Sequence, residues 1–303
     1  MQAPVILFAY NRADHLHKTL SALGYNTLAK ETEVFVFIDG PKTEEGRSAT
    51  QQVIECVKKF STGFFSQVHM IVAEKNKGLA PSVIDGVTKI LNEYGKVIVL
   101  EDDSVSSRYY LSFMNQALDF YEQQKDVWSI GGFTVPMCLP EDYRKDIIAT
   151  QRVSSCAWAI WKDRWELIDW SDKPYKKFRF SYKKRRKFNA WGNDRANMYD
   201  DQMNGRINSW AIRFDYAMFI NKAMNIIPRE SLIENIGIDG SGTHSRAAEQ
   251  ARFQVDLSKE DGWDFQRVTM DERIRKEFCK PFHSSLWNRM KRFIGNLVYR
   301  RKR

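Results

Sequence analysis

The sequence predicts an α/β fold in which a mostly parallel sheet is flanked by helices, and two observations support this class. Apolar segments at residues 4–10, 33–39, 68–73 and 97–100 have the length and β-branched content of buried strands, and the first three each precede a polar turn and an amphipathic helix. Polar or charged side chains also follow each segment. Repeated strand–helix units form a parallel sheet whose loops gather at one edge.

The first two units are read directly from their apolar spacing. After the strand at residues 4–10, Asp14 is a suitable N-cap for a helix with an apolar face formed by Leu16, Leu20 and Leu23. The second strand ends at Asp39, and Gly40-Pro41 then separates it from a helix that we expect to extend to about Phe60.

The third unit leads to the segment around which the chain is organised. The strand at residues 68–73 is followed by a lysine-rich turn, and Pro81 suits the first turn of the next helix. The fourth strand then ends in three consecutive carboxylates, Glu101, Asp102 and Asp103. An isolated acidic triplet of this kind is also compatible with a solvated turn.

The context of the other strand ends favours a binding site. Asn11 and Arg12 follow the first strand, Asp39 the second and Lys75 the third, so we expect them on the same rim as the triplet. Carboxylates there can hold a hard divalent cation, which can neutralise a phosphate. The first strand is not followed by a G-x-G-x-x-G motif, and the chain has no P-loop, so neither a dinucleotide fold nor a P-loop ATPase is supported.

The order and spacing of these strand-end motifs resemble the GT-A nucleotide-sugar glycosyltransferases, and the acidic triplet is similar to the N-acetylglucosaminyltransferase I type. A later block is also similar to that family, and the resemblance covers roughly residues 4–245. The motifs that carry it are Tyr10-Asn11-Arg12, Ile38-Asp39-Gly40, Asn76-Lys77-Gly78-Leu79, Leu100-Glu101-Asp102-Asp103 and the segment from Cys156 to Leu167.

The resemblance implies roles for the rim. Asp39 would contact the uracil or ribose, Arg12 and Lys75 would lie near the nucleotide, and Glu101 and Asp102 would belong to the nucleotide-sugar site. It implies that Asp103 binds Mn²⁺ or Mg²⁺, which oxygen ligands suit. A divalent cation would stabilise the charge that develops on a departing diphosphate.

An inverting mechanism, which the resemblance also implies, needs a general base to take a proton from the acceptor hydroxyl. The chain departs from the family pattern here, because Asn208-Ser209-Trp210 stands where the family has acidic residues before a tryptophan. Asp201 and Asp215 are the nearby substitutes, with Asp201 narrowly preferred, and Asp200 and Asp194 remain open alternatives. Each of the first two also fits a helix cap or a solvated acid.

The segments after the acidic triplet give further predictions. We expect one helix from Ser104 to Lys125 and a strand at residues 127–130. The glycine-rich loop at residues 235–244 resembles a nucleotide-covering loop, in which Ser241 and His244 would contact the nucleotide-sugar. The tryptophans of the later block fit either the core or a sugar-stacking surface: Trp158, Trp161 and Trp165.

Positive charge is concentrated in two segments of a chain with a net charge of +9. Residues 173–187 interleave lysines and arginines with aromatics, which fits a nucleic-acid surface, an anionic bilayer or a plain exposed loop; we expect a mobile acceptor-side or membrane-facing loop. Residues 281–303 have the pattern of a basic amphipathic helix that binds an anionic membrane, or of one that packs on the domain.

The remaining sequence features indicate the cellular location of the protein and its division into domains. The four cysteines are widely spaced and indicate neither a zinc site nor a disulfide scaffold, and neither a signal peptide nor a membrane span is evident. We therefore expect a cytoplasmic protein, peripheral on the inner face of the membrane. We expect a GT-A domain at residues 1–245, with a nucleotide-binding half at 1–125 and an acceptor half at 126–245, and a helical basic extension at 246–303.

The combined reading is a metal-dependent inverting glycosyltransferase that moves N-acetylglucosamine or a related hexose from a UDP-sugar to a hydroxyl of a glycan or glycolipid precursor. No nucleic-acid partner is expected. A nucleotidyltransferase acting on sugar phosphates is the rival enzyme, since it also places a metal-binding acid after a parallel strand. A basic nucleic-acid-binding protein built on residues 173–187 is the rival without catalysis.

Overall fold

The computed structural model describes residues 2–239 and 250–283, and its centre is an eight-stranded mixed sheet. The strand order is β3-β2-β1-β4-β8-β6-β9-β7, and a separate antiparallel pair joins β5 to β10. The strands are β1 (Val5–Ala9), β2 (Glu33–Ile38), β3 (Gln67–Val72), β4 (Lys96–Glu101), β5 (Ser104–Ser106), β6 (Val127–Gly131), β7 (Ile147–Thr150), β8 (Ala157–Trp161), β9 (Met224–Pro228) and β10 (Ile233–Asn235).

Helices cover both faces of this sheet. They are α1 (Ala13–Gly24), α2 (Arg47–Lys59), α3 (Leu79–Tyr94), α4 (Tyr110–Tyr121), α5 (Lys162–Trp165), α6 (Lys173–Phe178), α7 (Tyr182–Phe188), α8 (Arg195–Met203), α9 (Ala211–Ile220), α10 (Gln250–Phe253) and α11 (Glu272–Phe278).

The predicted α/β class with a mostly parallel sheet is confirmed. The first four predicted strands are β1 to β4, and they pair in parallel with Leu7 aligned to Val36 on one side and to Leu100 on the other. Alternate residues of β1 enter separate cores on the two sheet faces: Leu7 packs with α1 and α2, whereas Phe8 packs with α3. Burial of both faces explains why β1, β4 and most of β2 are apolar, whereas β3 lies at the sheet edge and is partly exposed, unlike the buried strand predicted there.

The prediction of one helix from Ser104 to Lys125 is wrong at its start. Residues Ser104–Ser106 form β5, and α4 begins only at Tyr110. The Ser104 hydroxyl donates a hydrogen bond to the carbonyl of Cys156 at 2.7 Å, and β5 pairs with β10, which lies more than a hundred residues later. Long-range strand pairing therefore overrides the local helical spacing.

The second half enters the sheet through β8, which runs antiparallel between β4 and β6. This pairing places Cys156, just before β8, next to the end of β4, because its carbonyl accepts a hydrogen bond from the Glu101 amide at 3.0 Å. Three tryptophans were predicted to lie either in the core or on a sugar-stacking surface, and all of them lie in the core: Trp158, Trp161 and Trp165. Trp158 stacks on Trp210 with ring centroids 4.6 Å apart. These rings therefore serve packing.

Residues 173–187 do not form the predicted loop. They fold into α6 and α7, because Phe178 and Phe188 are fully buried against the aromatic side chains of α8 and α9. The sequence pattern did not reveal this packing, because lysine and arginine dominate the segment and these two phenylalanines do not stand out from its exposed aromatic residues.

The chain after α10 packs against helix α4. Trp263 and Phe265 pack against Phe113 of α4, and the Tyr121 hydroxyl donates to the carbonyl of Gln266 at 2.6 Å. Most of the predicted basic helix at 281–303 lies outside the described residues. Within residues 2–239 and 250–283, no helix has the length and apolar content needed to cross a bilayer.

Candidate active site

A large cleft lies at the carboxyl ends of β1, β2, β3 and β4, with a volume of about 2180 Å³. The strand-end residues predicted from the sequence line one side of it, and the segments at 152–156 and 205–212 line the other. The lining includes Arg12, Asp39, Lys75, Glu101, Asp102 and Asp103. The parallel register of these strands brings their loops to a common rim, as expected.

The Asp39 carboxylate organises the loop after β3. Its Oδ1 accepts hydrogen bonds from the amides of Gly40 at 3.0 Å and Lys77 at 2.8 Å, and its Oδ2 accepts one from Gly78 at 2.9 Å. A Cβ at Gly40 would lie only 2.5 Å from the backbone of Lys75, so a side chain there would push the two loops apart. Asp39 therefore holds the Lys75–Gly78 turn at the rim.

The centre of the site is the contact between Arg12 and the acidic triplet. The Arg12 Nη2 atom donates to Asp103 Oδ2 at 2.8 Å and also to Asp102 Oδ1. The Arg12 Nε atom donates to Asp102 Oδ2 at 3.4 Å. The two aspartates are almost buried, with side chains 6% and 9% exposed. Buried carboxylates of this kind need a paired cation, and Arg12 supplies it.

Two polar atoms in this cluster have unused bonding capacity. Asp103 Oδ1 and Arg12 Nη1 are buried and make no hydrogen bond within the described part of the chain. Buried polar atoms without partners are uncommon, and their occurrence on adjacent side chains facing a cleft is typical of a ligand site. Gly237 lies against this pair of side chains: a Cβ there would be 2.0 Å from Asp103 Oδ2, the oxygen bonded to Arg12, and 3.0 Å from the unpartnered Arg12 Nη1.

The electrostatics of the cluster follow from burial and crowding of charge. Burial raises the pKa of Asp102 to about 6 despite the ion pair with Arg12, and the neighbouring charge of Asp103 adds to the rise. Burial, together with the charges of Asp103 and Asp102, also raises the pKa of Glu101 well above its usual range. Burial alone would lower the pKa of Arg12, but the two aspartates outweigh it and raise that pKa. A further positive charge would relieve this crowding.

The cluster suits a hard cation that takes few of its coordinating atoms from the protein. Asp103 Oδ1 is an unsatisfied carboxylate oxygen, the atom type that Mn²⁺ and Mg²⁺ prefer. Across residues 2–239 and 250–283, no group of three or more histidine, cysteine, aspartate or glutamate side chains has metal-binding geometry. A cation here would therefore take most of its ligands from substrate and water, as Mg²⁺ commonly does.

The two acids predicted as general base occupy different environments. Asp201 on α8 does not line the cleft, and its carboxylate pairs with Arg206 at 3.3 Å. Asp215 on α9 lines the cleft but is only 4% exposed; its Oδ1 accepts from the Val153 amide at 2.8 Å and its Oδ2 from Arg195 Nε at 3.2 Å. Burial raises the pKa of Asp215, although the nearby arginines oppose this.

The two alternatives considered with them are also ion-paired. Asp200 binds Arg185 through two hydrogen bonds of 2.8 and 2.7 Å on the side of α8 that faces α7. Asp194 lines the cleft and binds Arg152 through two bonds of 2.8 and 2.9 Å. Burial acts to raise the pKa of Asp194, but the charge and hydrogen bonds of Arg152 outweigh it and lower that pKa.

Arg152 is a site feature that the sequence did not reveal. Its guanidinium lies 3.8 Å from the ring centroid of Phe282, so the chain after α11 closes the far side of the cleft. Arg152 and Phe282 are 130 residues apart, and neither lies in a recognisable motif. Gly237 belongs to the glycine-rich loop predicted at residues 235–244, but its contact with Asp103 could not be inferred from the sequence.

The segment that departs from the family pattern lies directly across the rim. Asn208 is close to the loop after β3, since a Cβ at Gly78 would lie 2.8 Å from its Nδ2. Asn208 and Ser209 both line the cleft. Ser241 and His244, which were predicted to contact the nucleotide-sugar, lie outside the described residues.

Comparison with known proteins gives a distant structural likeness. Neither a protein-family profile nor a curated protein matches the chain. A crystal structure of Staphylococcus aureus TarS is 20% identical over 49% of this chain and 25% of its own length, with a TM-score of 0.33. A structure of TarS residues 1–349 is 12% identical over 77% of this chain and 60% of its own, with a TM-score of 0.42.

The chain thus spans between a quarter and three-fifths of the TarS chains that it matches. A likeness at these TM-scores carries no argument about activity. The Rossmann-like α/β architecture rests on the strand order and helix placement described above.

Proposed function

We propose that this chain is a glycosyltransferase of the GT-A type that takes a sugar from a UDP-sugar and transfers it to a hydroxyl of a glycan or glycolipid precursor. One observation carries the proposal. At the carboxyl end of a parallel strand, Arg12 is paired with Asp102 and Asp103, and buried polar atoms of Arg12 and Asp103 remain unpartnered beside a cleft.

The donor side of the cleft suits a nucleoside diphosphate. Lys75 and Lys77 are exposed on the turn that Asp39 holds, and both line the cleft with Arg12. These cations offset the charge that a diphosphate carries and that grows as it departs. Because Asp39 already accepts three backbone hydrogen bonds, its support for the nucleotide would act mainly through the position of this turn.

Asp103 would hold Mn²⁺ or Mg²⁺ through Oδ1, and such a cation would stabilise negative charge on the leaving diphosphate. In the transfer, the acceptor oxygen forms a bond to the anomeric carbon as the bond from that carbon to the phosphate oxygen breaks. The electron pair leaves with the diphosphate, and a base takes the hydroxyl proton. Of the two predicted bases we place this role on Asp215, because it lines the cleft and Asp201 does not.

A thermal-shift and calorimetric panel tests the proposal. UDP and UDP-sugars, each with Mn²⁺, should raise the melting temperature more than nucleoside triphosphates or RNA do, and the effect should fall when Mn²⁺ is replaced by EDTA. The release of UDP would then be measured to detect hydrolysis of a UDP-hexose or transfer of its sugar. Stabilisation by triphosphates and sugar phosphates in place of UDP-sugars would support a nucleotidyltransferase instead.

A further inference from the structure

Helices α6 and α7 form a distinct unit, here called the basic helix pair (residues 173–188). Phe178 and Phe188 are fully buried and pack edge to face with centroids 5.6 Å apart, on the aromatic cluster of α8 and α9. Arg185 adds a two-bond ion pair to Asp200 on α8. The pair is therefore anchored firmly on its inner side.

Its outer side carries one sign of charge. Within residues 173–188 the sequence has no aspartate or glutamate, and the nearby Asp172 is used by Lys176 at 2.7 Å. The exposed basic side chains are Lys173, Lys176, Lys177, Arg179, Lys183, Lys184, Arg186 and Lys187. A fixed scaffold thus presents a dense positive surface, which attracts anionic partners over about a Debye length.

Two large aromatics project at the connection between the helices. Phe180 is 78% exposed and Tyr182 is 79% exposed, which makes them more exposed than the other large apolar side chains described as exposed. The packing described above does not need them, because Phe178 and Phe188 already anchor the unit. Aromatics that project among lysines and arginines are typical of segments that lie in a membrane interface.

The geometry points to an anionic phospholipid bilayer as the partner of this surface. We propose that the basic helix pair docks the protein on such a bilayer, with Phe180 and Tyr182 inserted among the headgroups and the surrounding cations at the phosphate level. A single-stranded nucleic acid is the alternative partner for such a surface, and the experiment below distinguishes it from a bilayer.

Docking in this way would orient the cleft. Helix α8 packs on the basic helix pair, and its Met198 also lines the cleft. The basic helix pair therefore lies one helix away from the cleft, and docking would fix the orientation of the cleft relative to the bilayer. The binding itself is independent of the proposed catalytic activity and can be measured without any substrate.

Sedimentation of the full chain with vesicles tests the proposal. The vesicles would contain phosphatidylcholine with 30% phosphatidylglycerol, or phosphatidylcholine alone. K183Q/K184Q removes two cations from the pair, and K58Q/K59Q on α2 is the matched control because both of its lysines are also exposed. F180S/Y182S removes the aromatics, and Y25S, at a side chain 75% exposed, is its control.

Wild type should bind the anionic vesicles and sediment much less with phosphatidylcholine alone. K183Q/K184Q should weaken binding by about 25-fold, since one basic residue near an anionic surface contributes about 1 kcal/mol, or about fivefold. F180S/Y182S should weaken it severalfold, while both controls stay within twofold of wild type and all variants keep the wild-type melting temperature.

Two results would overturn the proposal. One is equal loss of binding in K183Q/K184Q and K58Q/K59Q, which would indicate only net charge. The other is tight binding of a single-stranded RNA probe that depends on Phe180 and Tyr182 while vesicle binding does not.

Discussion

Gly237 lies against Asp103 so closely that a Cβ at position 237 would stand 2.0 Å from the Asp103 Oδ2 atom. That oxygen is held by Arg12 at 2.8 Å and cannot move without breaking the ion pair. The absence of a side chain at Gly237 is therefore part of how the acidic cluster is shaped. It also keeps open the space beside the unpartnered Nη1 atom of Arg12.

The first prediction concerns this contact. G237A should displace the Asp103 carboxylate and lower metal-dependent UDP affinity by at least tenfold, as measured by calorimetry. G262A is the matched control, because a Cβ at Gly262 meets nothing within 4 Å. Equal UDP affinities in the two variants would show that the carboxylate position does not matter for binding.

The second prediction concerns Asp103 itself. D103A removes the unsatisfied Oδ1, so UDP binding should become independent of Mn²⁺, and turnover should fall by about 10²–10³, the usual loss for a group that stabilises developing charge. The melting temperature without ligand measures whether the fold survives. D85A, at a rim aspartate that pairs with Lys77, is the control and should retain metal dependence. Unchanged turnover in D103A would contradict the assigned role.

The third prediction uses the charge balance of the cluster. R12M leaves two nearly buried carboxylates without their cation and should lower the free energy of unfolding by about 3 kcal/mol. R12M/D102N removes one of those charges and should recover part of the loss, as measured by urea unfolding. A double variant that is no more stable than R12M would mean that Arg12 stabilises the fold by packing and not by charge.

The fourth prediction separates the candidates for the general base. D215N should lower turnover by at least about 10², within the range for loss of a general base, while D201N retains it. Because Asp215 also binds Val153 and Arg195, UDP affinity and melting temperature must be measured alongside turnover. Full turnover in D215N together with its loss in D194N would transfer the role to Asp194.

The fifth prediction concerns pH. The pKa of Asp194 is lowered in the folded protein by Arg152, so the Asp194 carboxylate stabilises the fold fully above its unfolded pKa of about 3.9 and loses this effect as pH falls through the lowered value. The stability difference between wild type and D194N should therefore shrink in acid, as measured by urea unfolding. For D215N the slope should be opposite, because burial raises the pKa of Asp215.

Much of the architecture around β1 to β4 was predictable from local sequence pattern. The presence of β1 to β4 and their parallel pairing follow from apolar runs that alternate with amphipathic helices, although their spatial order β3-β2-β1-β4 was not predicted. Parallel strands necessarily bring Arg12, Asp39 and the acidic triplet to one rim. The side of the cleft formed by these residues could therefore be inferred from periodicity and position alone.

The opposite side could not be predicted, because it depends on contacts between distant segments. Arg152 meets Phe282 across 130 residues, and Gly237 touches Asp103 across 134. Local spacing also misassigned residues 104–106, where pairing with β10 overrides helical preference, and it misread the basic helix pair as a loop. In each case a tertiary contact decides the local conformation.

The antiparallel position of β8 limits how the cleft can change shape. Because β8 is hydrogen-bonded to β4 on one edge and to β6 on the other, a rigid hinge rotation of the half of the sheet containing β1 to β4 against the half containing β6, β9 and β7 would have to break these hydrogen bonds. In the proposed reaction, opening of the cleft for substrate entry and product exit would therefore come from the connecting segments at the rim. Enzymatic turnover would then be paced by loop rearrangement, with the sheet serving as a stationary platform.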